Sequence, residues 1–179
     1  MEVYVSNAGH EFKIIHKDAD KCLIQFTKTG FVRKALYHNL IKGKVRDLYS
    51  PAVYGVGYEG EYNKNAYWKQ AKQLWQNMLK RCYCEADTRG YFGKGVVVSP
   101  EWHCFATFLK DISQLENFDK WLLGQNTNST KYNLDKDFIV EGCKVYSKET
   151  CMFATESENK AAGARNGKPY TKKTRVAKV

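Results

Sequence analysis

The sequence predicts an α+β fold: a small antiparallel sheet, then two amphipathic helices, then a strand–loop–strand–helix unit with a basic tail behind it. Three observations carry this. Short apolar runs separated by turn residues fill the first 40 positions; apolar residues recur at helical spacing from Tyr67 to Cys84 and again after Ser99; and two short apolar runs precede a helical pattern near Glu156 to Ala164. The organisation that follows is a sheet region over 1–41, a Gly/Tyr/Pro-rich connector over 42–66, a core over 67–164 and a flexible basic tail over 165–179.

The first strand is Phe12-Lys-Ile-Ile-His16, the second Cys22-Leu-Ile-Gln-Phe26 after the polar turn Lys17-Asp-Ala-Asp20, and the third Phe31 to His38 after Thr29-Gly30. The third strand interleaves Arg33, Lys34, Tyr37 and His38. That mixture suits a sheet lying in a nucleic-acid groove, and it equally suits the wet face of an ordinary antiparallel sheet. The connector contains Gly55-Val-Gly57-Tyr-Glu-Gly60, a formal match to a dinucleotide-binding loop. Pro51 stands where a central strand should enter, and Tyr62-Asn-Lys-Asn65 follows in place of an apolar helix start, so the segment reads as a glycine loop.

In the first helix Tyr67, Ala71, Leu74, Trp75, Met78, Leu79 and Cys82 form the apolar stripe, with Lys69, Lys72, Lys80 and Arg81 off it. A cationic helix face is either solvated or a contact to phosphates. After a short strand at Val96–Val98, Ser99-Pro100-Glu101 starts a second helix with a cap, a first-turn proline and an acid matched to the dipole. Phe105, Phe108, Leu109 and Ile112 give it a buried face to about Leu115. Gln125-Asn-Thr-Asn-Ser-Thr130 reads as a polar loop within Trp121 to Asn133.

The 179 residues are 43% hydrophobic, 14% aromatic and 27% charged, enough to bury a core. No apolar run is long enough for a membrane span or a secretory leader. The net charge is +10. Lys160, Arg165, Lys168, Lys172, Lys173, Arg175 and Lys178 supply seven positive charges with no acid among them, which leaves about +3 for everything before them. An excess of this kind points to a polyanion, nucleic acid before membrane, with the tail clamping phosphates or simply solvated. The six cysteines lack paired CxxC units, so a structural zinc site is disfavoured and reduced thiols are expected.

Several blocks in order resemble one family. Ser50-Pro-Ala-Val-Tyr-Gly-Val-Gly-Tyr58, Trp75-Gln-Asn-Met-Leu-Lys-Arg-Cys-Tyr83, Gly95-Val-Val-Val-Ser-Pro-Glu-Trp-His-Cys-Phe105, Leu134-Asp-Lys-Asp137, Tyr146-Ser-Lys-Glu-Thr-Cys-Met-Phe153 and Ser157-Glu-Asn159 are similar to segments of the homing-type HNH endonucleases encoded by tailed bacteriophages. The resemblance covers roughly residues 25 to 160. It implies a ββα-metal-like unit holding one divalent ion, Mg²⁺ or Mn²⁺, with Asp135 and Asn159 as ligands and Asp137 as a further one. It also implies double-stranded DNA as partner and the cytoplasm of the bacterial host as the place of action.

Where that family ordinarily has its histidine base, this chain has Lys136, which suits charge stabilisation better than proton abstraction. His103 is the alternative base, or else a packing residue. Gly142-Cys143 replaces the usual Gly-Asn, and Asn166-Gly-Lys-Pro-Tyr170 resembles the opening of an APETALA-type DNA-binding module that then gives way to the tail. The expected function is metal-dependent cleavage or nicking of duplex DNA. The alternatives are a non-catalytic phage DNA-binding protein or effector on the same scaffold, and an RNA-binding protein suggested by aromatic content alone.

Overall fold

The alternating N-terminal segment folds as four antiparallel strands in sequence order, β1 (Tyr4–Val5), β2 (Glu11–Asp18), β3 (Lys21–Phe26) and β4 (Val32–Leu36). The structure, a computed structural model, describes residues 2–127, 129–140 and 142–163. Register pairs Phe12 with Phe26, Ile14 with Ile24 and Cys22 with Ala35, so the period-2 pattern turns these side chains to one face. There they pack with Leu40 and Val45 in an apolar cluster of their own. The third strand stops at Leu36 rather than His38. Tyr37 N–H donates to the Asp20 carbonyl at 2.7 Å, the last bond the β2–β3 turn can offer. Beyond it, Tyr37 and His38 open the short helix α1 (Tyr37–Ile41), which swings Leu40 over the sheet.

The connector is ordered by its side chains and its glycines. Buried Asp47 accepts Thr29 Oγ1 at 2.7 Å through Oδ2 and the Tyr49 amide at 2.9 Å through Oδ1. Gly57 lies flat on α2 (Trp68–Tyr83), where a Cβ would strike Leu79 Cδ1 and come within 3.0 Å of Trp75. Gly60 has φ +65° and faces Cys104 Sγ, which a Cβ would meet at 2.7 Å. The glycine pattern is thus a packing device, as the failed dinucleotide match requires.

The main core forms where Ala71, Trp75, Met78, Leu79 and Cys82 of α2 meet α3 (Pro100–His103) and α4 (Phe105–Ile112). Trp75 Nε1 donates to the Trp102 carbonyl at 2.7 Å, tying α2 to α3. The single helix expected from Ser99 to Leu115 is therefore two. Cys104 takes an extended conformation (ψ 117°) because Tyr58 bonds on either side of it, to the His103 carbonyl and the Phe105 amide, both at 2.9 Å. The polar stretch after Trp121 also differs from expectation. Helix α5 (Phe118–Asn126) takes in its first two residues, Gln125 and Asn126, and is anchored by buried Phe118 and Trp121 one turn apart.

The last unit is assembled from separated pieces. Strand β5 (Val97–Val98) pairs in parallel with β7 (Val145–Tyr146), and β6 (Asn133–Asp135) pairs antiparallel with β8 (Met152–Ala154). Helix α6 (Glu156–Gly163) follows directly. Asn117, at φ +62° between α4 and α5, donates from Nδ2 to the Phe153 carbonyl at 2.9 Å and so clasps β8 from the core side. The two halves expected for the strand–loop–strand–helix unit are β6 and β8.

Candidate functional site

Asp135 ends β6, and Asn159 lies in the first turn of α6. A capping box fixes that turn: Thr155 Oγ1 accepts the Glu158 amide at 3.2 Å, while Glu158 Oε2 accepts the Thr155 amide at 2.8 Å. With β6 paired to β8 and α6 launched from β8, residues 24 apart in sequence meet. Asn159 Nδ2 donates to Asp135 Oδ2 at 2.6 Å, and Asp135 Oδ1 accepts the Asp137 amide at 2.8 Å. One carboxylate and one amide side by side form a hard-oxygen donor set, since the amide can turn its oxygen to the same place. Mg²⁺ is commonly held by one or two such groups, with water and phosphate oxygens completing its shell. Among the described residues there is no group of three or more His, Cys, Asp or Glu that could hold a metal ion.

Asp137 and Lys136 do not join that pair. Lys136 is 4% exposed, and its ammonium pairs with Asp137 Oδ2 at 2.6 Å while standing over the rings of Tyr91 (5.1 Å) and Tyr146 (5.8 Å). Successive residues at a strand end point to opposite sides, so Asp135 faces out where Lys136 faces in. Asp137 Oδ1 is buried and has no hydrogen-bond partner among the described residues. Burial raises the Tyr146 phenol beside Lys136 well above its ordinary pKa.

His103 is engaged elsewhere. Its Nε2 is 3.2 Å from the Tyr83 hydroxyl, which in turn accepts the Val98 amide at 2.9 Å. The two rings meet edge to face at 5.7 Å. Burial pushes the imidazole pKa below its usual value against opposing effects of the Val98 backbone and Glu101, which favours the neutral ring. Among the described residues no hydrogen bond joins His103 to Asp135, Lys136 or Asn159.

The basic residues divide by position. Arg33 pairs with Ile24 and faces the buried side of the first sheet, half-exposed at its rim, whereas Lys34 pairs with Leu23 on the open side. Lys72 bonds Glu59 at 2.6 Å, and Arg46 reaches the same carboxylate at 2.9 Å. Burial alone would raise the Glu59 pKa, but these two cations outweigh it and hold the carboxyl below its usual value. Lys69, Lys80 and Arg81 are exposed along α2, and Arg81 also donates to the Tyr91 hydroxyl at 2.7 Å. Lys160 pairs with Glu156 at 2.6 Å on the open face of α6. Arg165, Lys168, Lys172, Lys173 and Arg175 lie outside the described residues.

Sequence reasoning missed a furrow between α2 and β6. One depression of about 360 Å³ runs from Arg81 and Tyr146 to Asn77, Asn133 and Leu134. A second, of about 440 Å³, continues from Asn77 and Asn133 past Gln73 to Lys69 and Gln125. Asn133 and Leu134, which directly precede Asp135, line the furrow, while Asp135 and Asn159 do not. The available signal was the run of amides in α2, Gln70, Gln73, Gln76 and Asn77, on a helix with no acidic residue. Compared with known proteins, the chain matches no family model, no curated protein and no solved structure. No helix among the described residues is long and apolar enough to cross a membrane.

Proposed function

We propose that the protein is a metal-dependent, HNH-like DNA endonuclease of bacteriophage type, acting on duplex DNA in the cytoplasm of a bacterial host. The observation that carries the reading is the contact between Asp135 and Asn159, made by a strand end and a capped helix turn in a strand–loop–strand–helix unit. On this reading the two side chains hold one Mg²⁺ or Mn²⁺, which when bound polarises the scissile phosphate and lowers the pKa of a coordinated water. The chain's own part is positional. Asp137 N–H fixes the Asp135 carboxylate, the capping box fixes Asn159, and Lys69, Lys80 and Arg81 line a furrow that would take a phosphate backbone.

Supercoiled plasmid with Mg²⁺ or Mn²⁺ tests this. Wild type should generate open circles, and Asp135→Ala should generate none while binding DNA at least as well, because a carboxylate facing phosphate repels it when no metal is present. A specific observation favours the second reading, a DNA-binding protein that does not cut: Lys136, standing where the related enzymes place their base, is buried in an ion pair with Asp137. Binding without nicking in either metal, on any plasmid tried, selects that reading.

A further inference from the structure

Helix α2 carries an outward stripe that its packing does not explain. Lys69, Gln73, Asn77, Lys80 and Arg81 recur along one exposed side, opposite the buried Trp75, Met78 and Leu79. The helix holds four basic residues and no acidic one, has no side-chain cap, and places Lys69 in its first turn, where the helix dipole disfavours a cation. Lys80 and Arg81 lie in the last turn, where the dipole favours cations, so helix stability leaves Lys69 and the exposed amides between unexplained. From Lys69 to Lys80 the stripe rises about 17 Å, the length of about five base-pair steps.

The middle of the stripe is more specific than its ends. Gln73 Nε2 donates to Asn77 Oδ1 at 3.0 Å, which locks the two exposed amides together. The bond leaves Gln73 Oε1 as an outward acceptor and Asn77 Nδ2 as an outward donor. Turning both amides over exchanges the two roles and keeps the pattern. Adenine offers the complement in the major groove, an N7 acceptor beside an N6 donor. Three depressions meet at Asn77, so the pair sits where a groove edge would press.

We infer that the outward stripe of α2 is a base-reading surface: Lys69, Lys80 and Arg81 grip phosphates while the joined Gln73–Asn77 amides read an adenine edge in the major groove of duplex DNA. The inference rests on the proposed DNA ligand and not on cutting.

The test is selection from a randomised duplex pool in EDTA, with salt titration of the winning duplex. Wild type should enrich a motif containing adenine. A Gln73→Ala/Asn77→Ala variant should lose preference at one position by about 5- to 150-fold with its salt slope unchanged. A Lys69→Ala/Lys80→Ala variant should keep the motif and flatten the slope of log K against log salt by about 1.8. Far-UV dichroism confirms that these exposed substitutions leave the fold intact. The inference is overturned if wild type enriches nothing, if the amide variant selects the same motif equally well, or if single-stranded RNA outcompetes duplex DNA. A protein that selects a motif in EDTA yet nicks no plasmid keeps the stripe and loses the nuclease reading.

Discussion

Replacing Lys136 with Met decides whether that residue supports the fold or the chemistry. The methionine retains most of the stem's volume and removes the charge. What is lost is the 2.6 Å pair to Asp137 and the ammonium's place over the Tyr91 and Tyr146 rings, and Asp137 is left with one buried oxygen already unpartnered. Breaking one side of a fully buried pair costs about 3–5 kcal/mol. The Asp137 side chain is 40% exposed, so water recovers part of that, and about 1–3 kcal/mol is expected. With a urea slope of about 2 kcal/mol/M, the unfolding midpoint should fall by about 0.5–1.5 M. Adding Asp137→Asn should return much of the loss, a coupling of about 1 kcal/mol or more, because no unpaired charge then remains. On the proposed nuclease reading, plasmid nicking by the folded single variant should stay within a few-fold of wild type. An unchanged midpoint together with a nicking rate down a hundredfold refutes this reasoning and puts the Lys136 charge on the phosphate.

Gly57→Ala forces a methyl against Leu79 and Trp75 and should cost about 1–3 kcal/mol in urea unfolding although the backbone there is unstrained. Glu59, held below its ordinary carboxyl pKa by Lys72 and Arg46 against the opposing effect of burial, contributes stability above its unfolded value of about 4.5 that fades as pH falls through its folded value. Glu59→Gln should therefore lower stability by a constant amount near neutrality and bring the two proteins' curves together below about pH 4.5, read as unfolding midpoint against pH. Burial pushes the Cys82 thiol up to about 11 and the Cys151 thiol up to about 12, so iodoacetamide at pH 8 should label the native protein at half-buried Cys84 and Cys143 well before either. Mass spectrometry showing equal labelling of all four would contradict that packing.

Much of the fold is legible wherever one local signal suffices. The apolar stripe of α2 starts and stops within a residue of its sequence expectation, and Cys22, Ile24 and Phe26 alternate as the buried face of a strand should. What sequence could not supply came from distant partners. The break at Cys104 is imposed by Tyr58, 46 positions earlier, and the end of β4 by the carbonyl of Asp20. Helix α5 was hidden because its buried face is little more than Phe118 and Trp121, with a tail of amides that looks like a loop. At the candidate site, the resemblance brought Asp135 and Asn159 to notice, and they do touch. It could not tell that Lys136 turns inward and pairs with Asp137, because that follows from which way the strand end turns against Tyr91 and Tyr146.

This separation of the outward pair from the inward one makes metal binding testable apart from cutting. Asp135 and Asn159 offer two oxygens, and neither needs Lys136 or His103 in place to do so. If they hold an ion, Mn²⁺ should broaden the amide signals of residues around 135 and 159 in wild type and in Lys136→Met alike. Asp135→Ala should abolish that broadening, since the amide of Asn159 alone is a weak ligand for a hard cation. Asp137→Asn should leave it intact, because the Asp137 carboxylate faces Lys136 and lends the site only its backbone N–H. Broadening that survives Asp135→Ala, or that vanishes with Asp137→Asn in a folded protein, would place the ion elsewhere and remove the observation on which the nuclease reading stands.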